Sequence, residues 1–222
     1  GRPGTPNPPL DVESFKIWIF AESMLDQIFI MMTRGRTRFK SKPRGAQHFA
    51  ETVKAIKPVD KNIEVEVLTS DFNGDQSAIR TIVNSPIKVF AQNIETVERL
   101  THPIRDPRAG YLKTMEVLKH AKEINKHIIT KSSIIVGLGE NDREIYKTFE
   151  DLRNHDVDIV TLGQYLRPTL NHHPIDRWVT PEEFEMYREK GLEYGFLEVV
   201  SGPMVRSSYR AERALELNNA GL

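Results

Sequence analysis

The chain has 222 residues, and its 31 Lys plus Arg balance 31 Asp plus Glu to a formal net charge of +0, so it carries no electrostatic footprint for nucleic acid or an anionic membrane surface. It contains no cysteine, which removes disulfides, thiolate nucleophiles and thiolate-held zinc or iron–sulfur centres from anything these residues do alone. One domain of moderate size is the expectation, and a soluble one, because the most apolar window, "IWIFAESMLDQIFIMM" (17 to 32), is broken by Glu22, Asp26 and Gln27 and falls short of the roughly 20 apolar residues of a membrane span.

The opening "GRPGTPNPPLD" reads as Pro-rich and extended, without the pattern of a secretion signal or transit peptide. Residues 17 to 32 read as an apolar helix or strand, and "RGRTRFKSKPRG" (34 to 45) as a basic, solvated loop whose single aromatic, Phe39, is too little for a stacking platform. From residue 46 the chain alternates. "AQHFAETVKAIK" (46 to 57) sets Phe49, Val53 and Ile56 on one helical face, and "NIEVEVLTSDF" (62 to 72) alternates Val65 and Val67 with Glu64 and Glu66 as a strand. "DQSAIRTIVNS" (75 to 85) is a short helix ending near Asn84, and "IKVFAQN" (87 to 93) a short strand. "GYLKTMEVLKHAKEIN" (110 to 125) is an amphipathic helix with Leu112, Met115, Val117, Leu118 and Ala121 inward and Lys113, Lys119 and Lys122 opposite.

"TKSSIIVGLGE" (130 to 140) runs as a strand into a glycine-bearing turn, followed by a helix (141 to 156) capped by Asn141 or Asp142. "VDIVTLGQYLRP" (157 to 168) is a buried strand and loop. The helix of 180 to 195 has Thr180 as cap, Pro181 in the first turn, Glu183 three residues after the cap and Gly195 as its stop. "FLEVVSGP" (196 to 203) is the last strand. About five strands separated by helices, with little room for hairpins, predict an α/β fold with a parallel sheet, either doubly wound or a barrel of the TIM type. Polar loops follow each strand, where such folds gather their chemistry.

Singly, the motifs in those loops are weak. "GLGEND" has Asp142 where a dinucleotide fingerprint needs a third glycine, so a flexible strand-to-helix turn is the plainer reading. Lys131 suits a general base, an anion clamp or a solvated flank. Asn93 and Glu95 in "QNIET" fall on one face of an extended segment, which suits either a polar ligand or an ordinary turn. His172 and His173 are adjacent and do not point at one metal.

In this order, however, "IETVERL", "RDPRAGY", "TKSSIIVGLGEND", "DIVTLGQYLRPT", "TPEEFEMYREKGLEYGF" and "SGPMVRSSYRA" resemble the carboxyl two-thirds of the lipoyl synthase family over roughly residues 46 to 214, and "RDPRA" with "GLGEND" resembles its mitochondrial branch. The resemblance implies a partial TIM-type (β/α) barrel of the radical SAM kind, a mitochondrial matrix location, and an activity that inserts sulfur at carbons 6 and 8 of a protein-bound octanoyl group. It implies two [4Fe–4S] clusters and S-adenosylmethionine as cofactors. Its partners would be an octanoylated lipoyl domain or carrier protein, an electron donor and iron–sulfur assembly proteins.

It also implies that Ser207 or Ser208 of the RSSY motif ligates an auxiliary cluster, with Arg206 beside it, and that Asn93, Glu95, Lys131 and Gln164 hold S-adenosylmethionine. Gln92 departs from the family, which usually has His there. All the family's cluster cysteines lie upstream of the segment that "GRPGTP" resembles, and between residues 12 and 44 an acidic loop of the family is replaced by Arg34, Arg36, Arg38, Lys40 and Lys42. The expected organisation is therefore an atypical segment (1–45), a βα-repeat barrel portion (46–203) and a C-terminal motif and tail (204–222). The alternative is a catalytically silent relative that keeps the barrel as a binding or assembly module. A third possibility is a metal-free enzyme using the same rim for another S-adenosylmethionine reaction.

Overall fold

The computed structural model describes residues 15–21, 27–34, 45–56, 58 and 64–207, the first two stretches as backbone. The Pro-rich lead, the basic residues from Arg36 to Arg44, Ser208 and the tail lie outside the described residues. Strands β1 (Phe15–Ala21) and β2 (Gln27–Arg34) precede helix α1 (Ala46–Ile56), β3 (Glu64–Leu68), α2 (Gln76–Val83) and β4 (Val89–Ala91). Two helices, α3 (Glu98–Ile104) and α4 (Tyr111–Ile124), lead to β5 (Ile129–Val136), α5 (Asp142–Asn154), β6 (Ile159–Gln164), α6 (Pro181–Glu193) and β7 (Glu198–Gly202). The seven strands form one sheet in sequence order. β1 and β2 are antiparallel, and every pairing from β2 to β7 is parallel.

Local signals account for the helix starts. Asp75 accepts hydrogen bonds from the amides of Ser77 and Ala78 at the head of α2. Asn141 with Glu144, and Thr180 with Glu183, form complete capping boxes on α5 and α6, and Pro181 supplies the first turn of α6. Two elements depart from the sequence expectation. The apolar window before residue 34 is a hairpin, since a short apolar run has no period that separates strand from helix. Helix α3 was not foreseen, because Pro103 falls within its seven residues and no side chain caps it.

One parity of the strands builds the main core. Val65, Val67, Phe90, Ile134, Val160, Leu162 and Val199 pack in a single cluster with Phe49, Ile79, Met115, Phe149 and Phe184 of the helices. The other parity, by register, holds Glu66, Leu68, Ala91, Lys131, Ser133 and Thr161. These too are buried, although Leu68 and Ala91 form a separate small cluster outside the helix-packed core. A face without helices leaves water only if the sheet curls onto itself, so the architecture is an α/β partial barrel.

That inner face corrects two sequence readings. Alternating Val and Glu suggests a half-solvated β3, yet Glu66 is 0% exposed and its carboxylate takes the Lys131 ammonium at 2.9 and 3.0 Å. Lys131, 2% exposed, is therefore no solvated flank. On α4, Leu112 is exposed while Thr114 is buried, because two residues turn a helix by roughly 200°. Lys122 reaches back to the Asp158 carboxylate at 2.6 Å and the Ile128 carbonyl at 2.8 Å.

Breaking a buried pair from one side strands the other charge, so Lys131→Met is expected to destabilise the chain by about 3–5 kcal/mol in urea unfolding. Glu66→Gln combined with Lys131→Met should recover most of that loss. A double variant as weak as the single one would show that the pair's charge complementarity is not what matters there.

Candidate functional site

The chemistry-bearing loops meet at the carboxyl ends of β4, β5 and β6. Beyond β4 the backbone kinks. The Ser132 hydroxyl donates to the Gln92 carbonyl and accepts from the Ile94 amide, both at 3.0 Å. The Glu95 amide donates to the Ser133 carbonyl at 2.9 Å, and the Ile135 amide donates to the Glu95 carbonyl at 2.8 Å. Between these ties Glu95 has φ +67°, the left-handed region that a glutamate seldom adopts. Its half-buried carboxyl is pushed above the usual range by burial, against the opposing pull of the Arg105 charge and a hydrogen bond from Asn93.

A second approach comes from the segment after β7. A Cβ built on Gly163 in β6 would lie 2.2 Å from the Val205 carbonyl oxygen and 3.3 Å from Arg206 Nη1. Only glycine lets that segment rest on the strand. Arg206 Nη1 also donates to the Val205 carbonyl at 2.6 Å. The contact carries Arg206 and Ser207 to a cavity of about 280 Å³ shared with Asn93, Glu95, Ser133 and Gln164. Leu166 and Pro168 add an apolar wall. The cavity thus joins an amide, a carboxylate, hydroxyls and a guanidinium to apolar surface, a donor set for a polar ligand with an apolar portion.

Of the residues singled out in the sequence, Asn93, Glu95, Gln164, Arg206 and Ser207 line this cavity. Ser208 lies outside the described residues. Lys131 does not line it and is occupied with Glu66 deeper in the barrel. Gln164 is largely committed to the loop that follows. Its Nε2 donates to the carbonyls of Tyr165 and Arg177, both at 3.2 Å, and its Oε1 accepts from the Val179 amide at 2.9 Å. In "GLGEND" the Glu140 carboxylate accepts from the amides of Gly137 at 2.6 Å and Leu138 at 2.9 Å, so an internal anion already fills the donors a phosphate would need. His172 binds the Thr169 hydroxyl at 2.8 Å, and among the described residues no group of His, Asp or Glu could hold a metal ion.

Sequence reasoning missed Ser132 and Ser133, Arg105 and Gly163. The hydroxyl pair was visible beside Lys131, and a glycine inside an apolar strand is itself a sign of close approach.

A family model described as the Radical SAM superfamily matches residues 23–152. A lipoyl synthase from Francisella philomiragia is 59% identical over 178 residues, covering 80% of this chain and 54% of that protein. One from Ectopseudomonas mendocina is 51% identical over 219 residues, covering 99% of this chain and 62% of that protein. The chain thus spans a little over half the length of these curated relatives. Among solved structures, Streptococcus suis SuiB is similar at 10% identity and a TM-score of 0.46, over 67% of this chain and 40% of its own.

Gly163→Ala should push the Val205 carbonyl off β6. The expected result is faster amide hydrogen exchange across residues 203–207 with β5 and β6 still protected. Unchanged exchange in that segment would mean the close approach does not hold it.

Proposed function

The chain belongs to the radical SAM superfamily, and on that premise we propose that it is the barrel portion of a lipoyl synthase, inserting sulfur at carbons 6 and 8 of a protein-bound octanoyl group. The observation that carries this reading is the meeting of the "SGPMVRS" segment (201–207) with the Asn93–Glu95 kink. Residues as far apart in the chain as Asn93 and Ser207 share one cavity at the mouth of the barrel only because Gly163 admits the returning backbone.

The donors of the rim fit S-adenosylmethionine. Asn93 and Glu95 would bind its amino group or ribose hydroxyls, groups that need fixed polar partners. Held there, this cofactor would supply the radical chemistry that removes hydrogen from the octanoyl chain. Arg206, exposed on the arm, would orient an anionic group, and Leu166 with Pro168 would keep water from the apolar part of the substrate. Gln164 would act from behind, holding the loop of residues 165–179 against the mouth.

Iron–sulfur clusters do not fit these residues in the same way. Such clusters are held mainly by thiolates, and the 222 residues include no cysteine. In this proposal the cluster ligands belong to residues outside these 222. Ser207 or Ser208 contributes at most one hydroxyl, a weak ligand for iron beside sulfide and for that reason a releasable one. The partners of the proposal are an octanoylated lipoyl domain or carrier protein, an electron donor and iron–sulfur assembly proteins. The "RDPRA" and "GLGEND" segments favour the mitochondrial matrix as its compartment, although both relatives named above are bacterial. No helix among the described residues is long and apolar enough to cross a membrane.

The test uses the complete natural gene product purified without oxygen, assayed for iron and acid-labile sulfide, then incubated with octanoylated lipoyl domain, S-adenosylmethionine and a reductant. Lipoyl product by mass spectrometry is the expected outcome. Of Ser207→Ala and Ser208→Ala, one is expected to abolish sulfur insertion while cofactor cleavage persists, and normal product from both would remove the serine from the ligand set. A colourless, iron-free natural protein would overturn the reading in favour of a binding or assembly module.

A further inference from the structure

The "RDPRAGY" segment has no part in the reaction proposed above, yet its first residue reaches the cavity rim from behind. Arg105 follows α3 directly, its amide anchored on the Thr101 carbonyl at 2.9 Å. Its Nη1 donates to the Ile94 carbonyl at 3.1 Å and to Thr114 Oγ1 on α4 at 3.4 Å. Ile94 is the residue immediately before the left-handed Glu95. Backbone strain of that kind persists only where the surroundings over-determine it. Here the ties from β5, through Ser132 and the backbone of Ser133 and Ile135, are all neutral. Arg105 is the tie that brings a charge.

The charge has a destination. Glu95 stands in a half-buried setting that disfavours its ionised form, and Arg105 opposes that effect together with the hydrogen bond from Asn93. Arg105 is itself buried enough to lower its proton affinity, and is supported by Glu95 and by Asp71 in the turn after β3. Arg105 behind the kink and Asn93 on its own loop bear on Glu95, with Asp71 acting through Arg105, while Ser133 from β5 and Arg206 on the arm after β7 line the same cavity. One nitrogen, Nη1, reaches both the carbonyl and the hydroxyl, while the delocalised guanidinium charge acts on a third group.

We infer that Arg105 is a positioning residue for the Asn93–Glu95 rim, pinning the left-handed turn through the Ile94 carbonyl and setting a positive charge behind the Glu95 carboxyl. Its consequence for cofactor binding rests on the function proposed above, whereas its effect on Glu95 does not. The arrangement links the loop after β3 to the loop after β4 through one cation. A rim so wired holds its carboxyl and amide in place before an ammonium or a sugar diol arrives.

The experiment labels the glutamate carboxyl carbons of the 222-residue chain and follows Glu95 by NMR through a pH titration, its resonance identified by loss in Glu95→Gln. In Arg105→Gln, which can still donate to Ile94, the Glu95 midpoint is expected to rise by about one pH unit. Arg105→Lys should restore most of the wild-type midpoint. An unchanged midpoint in Arg105→Gln overturns the inference. Should that variant not fold, Asp71→Asn is read instead: freeing Arg105 from its second partner should move the Glu95 midpoint down, and a midpoint that stays or rises overturns the inference equally. In parallel, calorimetric binding of S-adenosylmethionine to the complete natural protein should weaken about tenfold at neutral pH in Arg105→Gln. A wild-type protein that binds none of this cofactor, beside a shifted Glu95 midpoint, would refute the cofactor reading and leave Arg105 in its role.

Discussion

Helices cover one face of the parallel sheet, and the opposite face escapes water only by closing on itself around Glu66 and Lys131. The pair spans three strands: Glu66 stands on β3, Lys131 on β5, and the β4 residue in register with Lys131 is Ala91. A small side chain at that point leaves room for the lysine stem to cross β4. Taking two charges out of water costs several kcal/mol per ion before their attraction is counted, so a pair of this kind is a poor source of stability. What it supplies is selectivity of packing: curls or registers that separate the partners leave a buried, uncompensated charge.

Above this floor the barrel mouth is built from two backbone exceptions. Glu95 takes a conformation that costs on the order of 1–3 kcal/mol for a non-glycine residue, and Gly163 surrenders its side chain so that the Val205 carbonyl can approach. Neither improves the main core, which is complete without them. Both occur where strands deliver their carboxyl ends, the place at which α/β barrels gather ligands. Strain and close approach meet at this mouth, as at a site whose geometry is maintained at the expense of local ease, while Asp156 ahead of β6 is left-handed as well.

The resulting rim is composite. Its amide and carboxylate come from the loop after β4, a hydroxyl from β5, and its guanidinium and second hydroxyl from the arm after β7. No single segment contains enough polar groups to bind a ligand by itself. The lining offers an amide, a carboxylate, hydroxyls and a guanidinium beside apolar surface and, in a chain without cysteine, no thiol, a donor set suited to a polar organic ligand.

Much of the framework was legible in the residues alone. The cap at Asn141 or Asp142, the Thr180 cap with Glu183 three residues on and the apolar spacing of α1 are local signals, and local signals survive folding because they concern atoms a few positions apart. Strand–helix alternation left a doubly wound sheet and a barrel both open, and the partial barrel was what the family resemblance of the loop motifs implied. Tertiary structure decided what depends on distant atoms. Glu66 looked like the polar face of a half-exposed strand until the curl brought Lys131 over it, and Leu112 looked like core until the packed face of α4 was set by Thr114 and Leu118. Gln164 lines the cavity while its amide is tied to Val179 and Arg177, and Arg105 showed no tie to the loop after β4 before the turn at the end of α3 carried it behind the kink. Spacing along a chain encodes helices, strands and caps, whereas the partner of a buried charge is chosen by where the sheet bends, and the bend belongs to the whole chain.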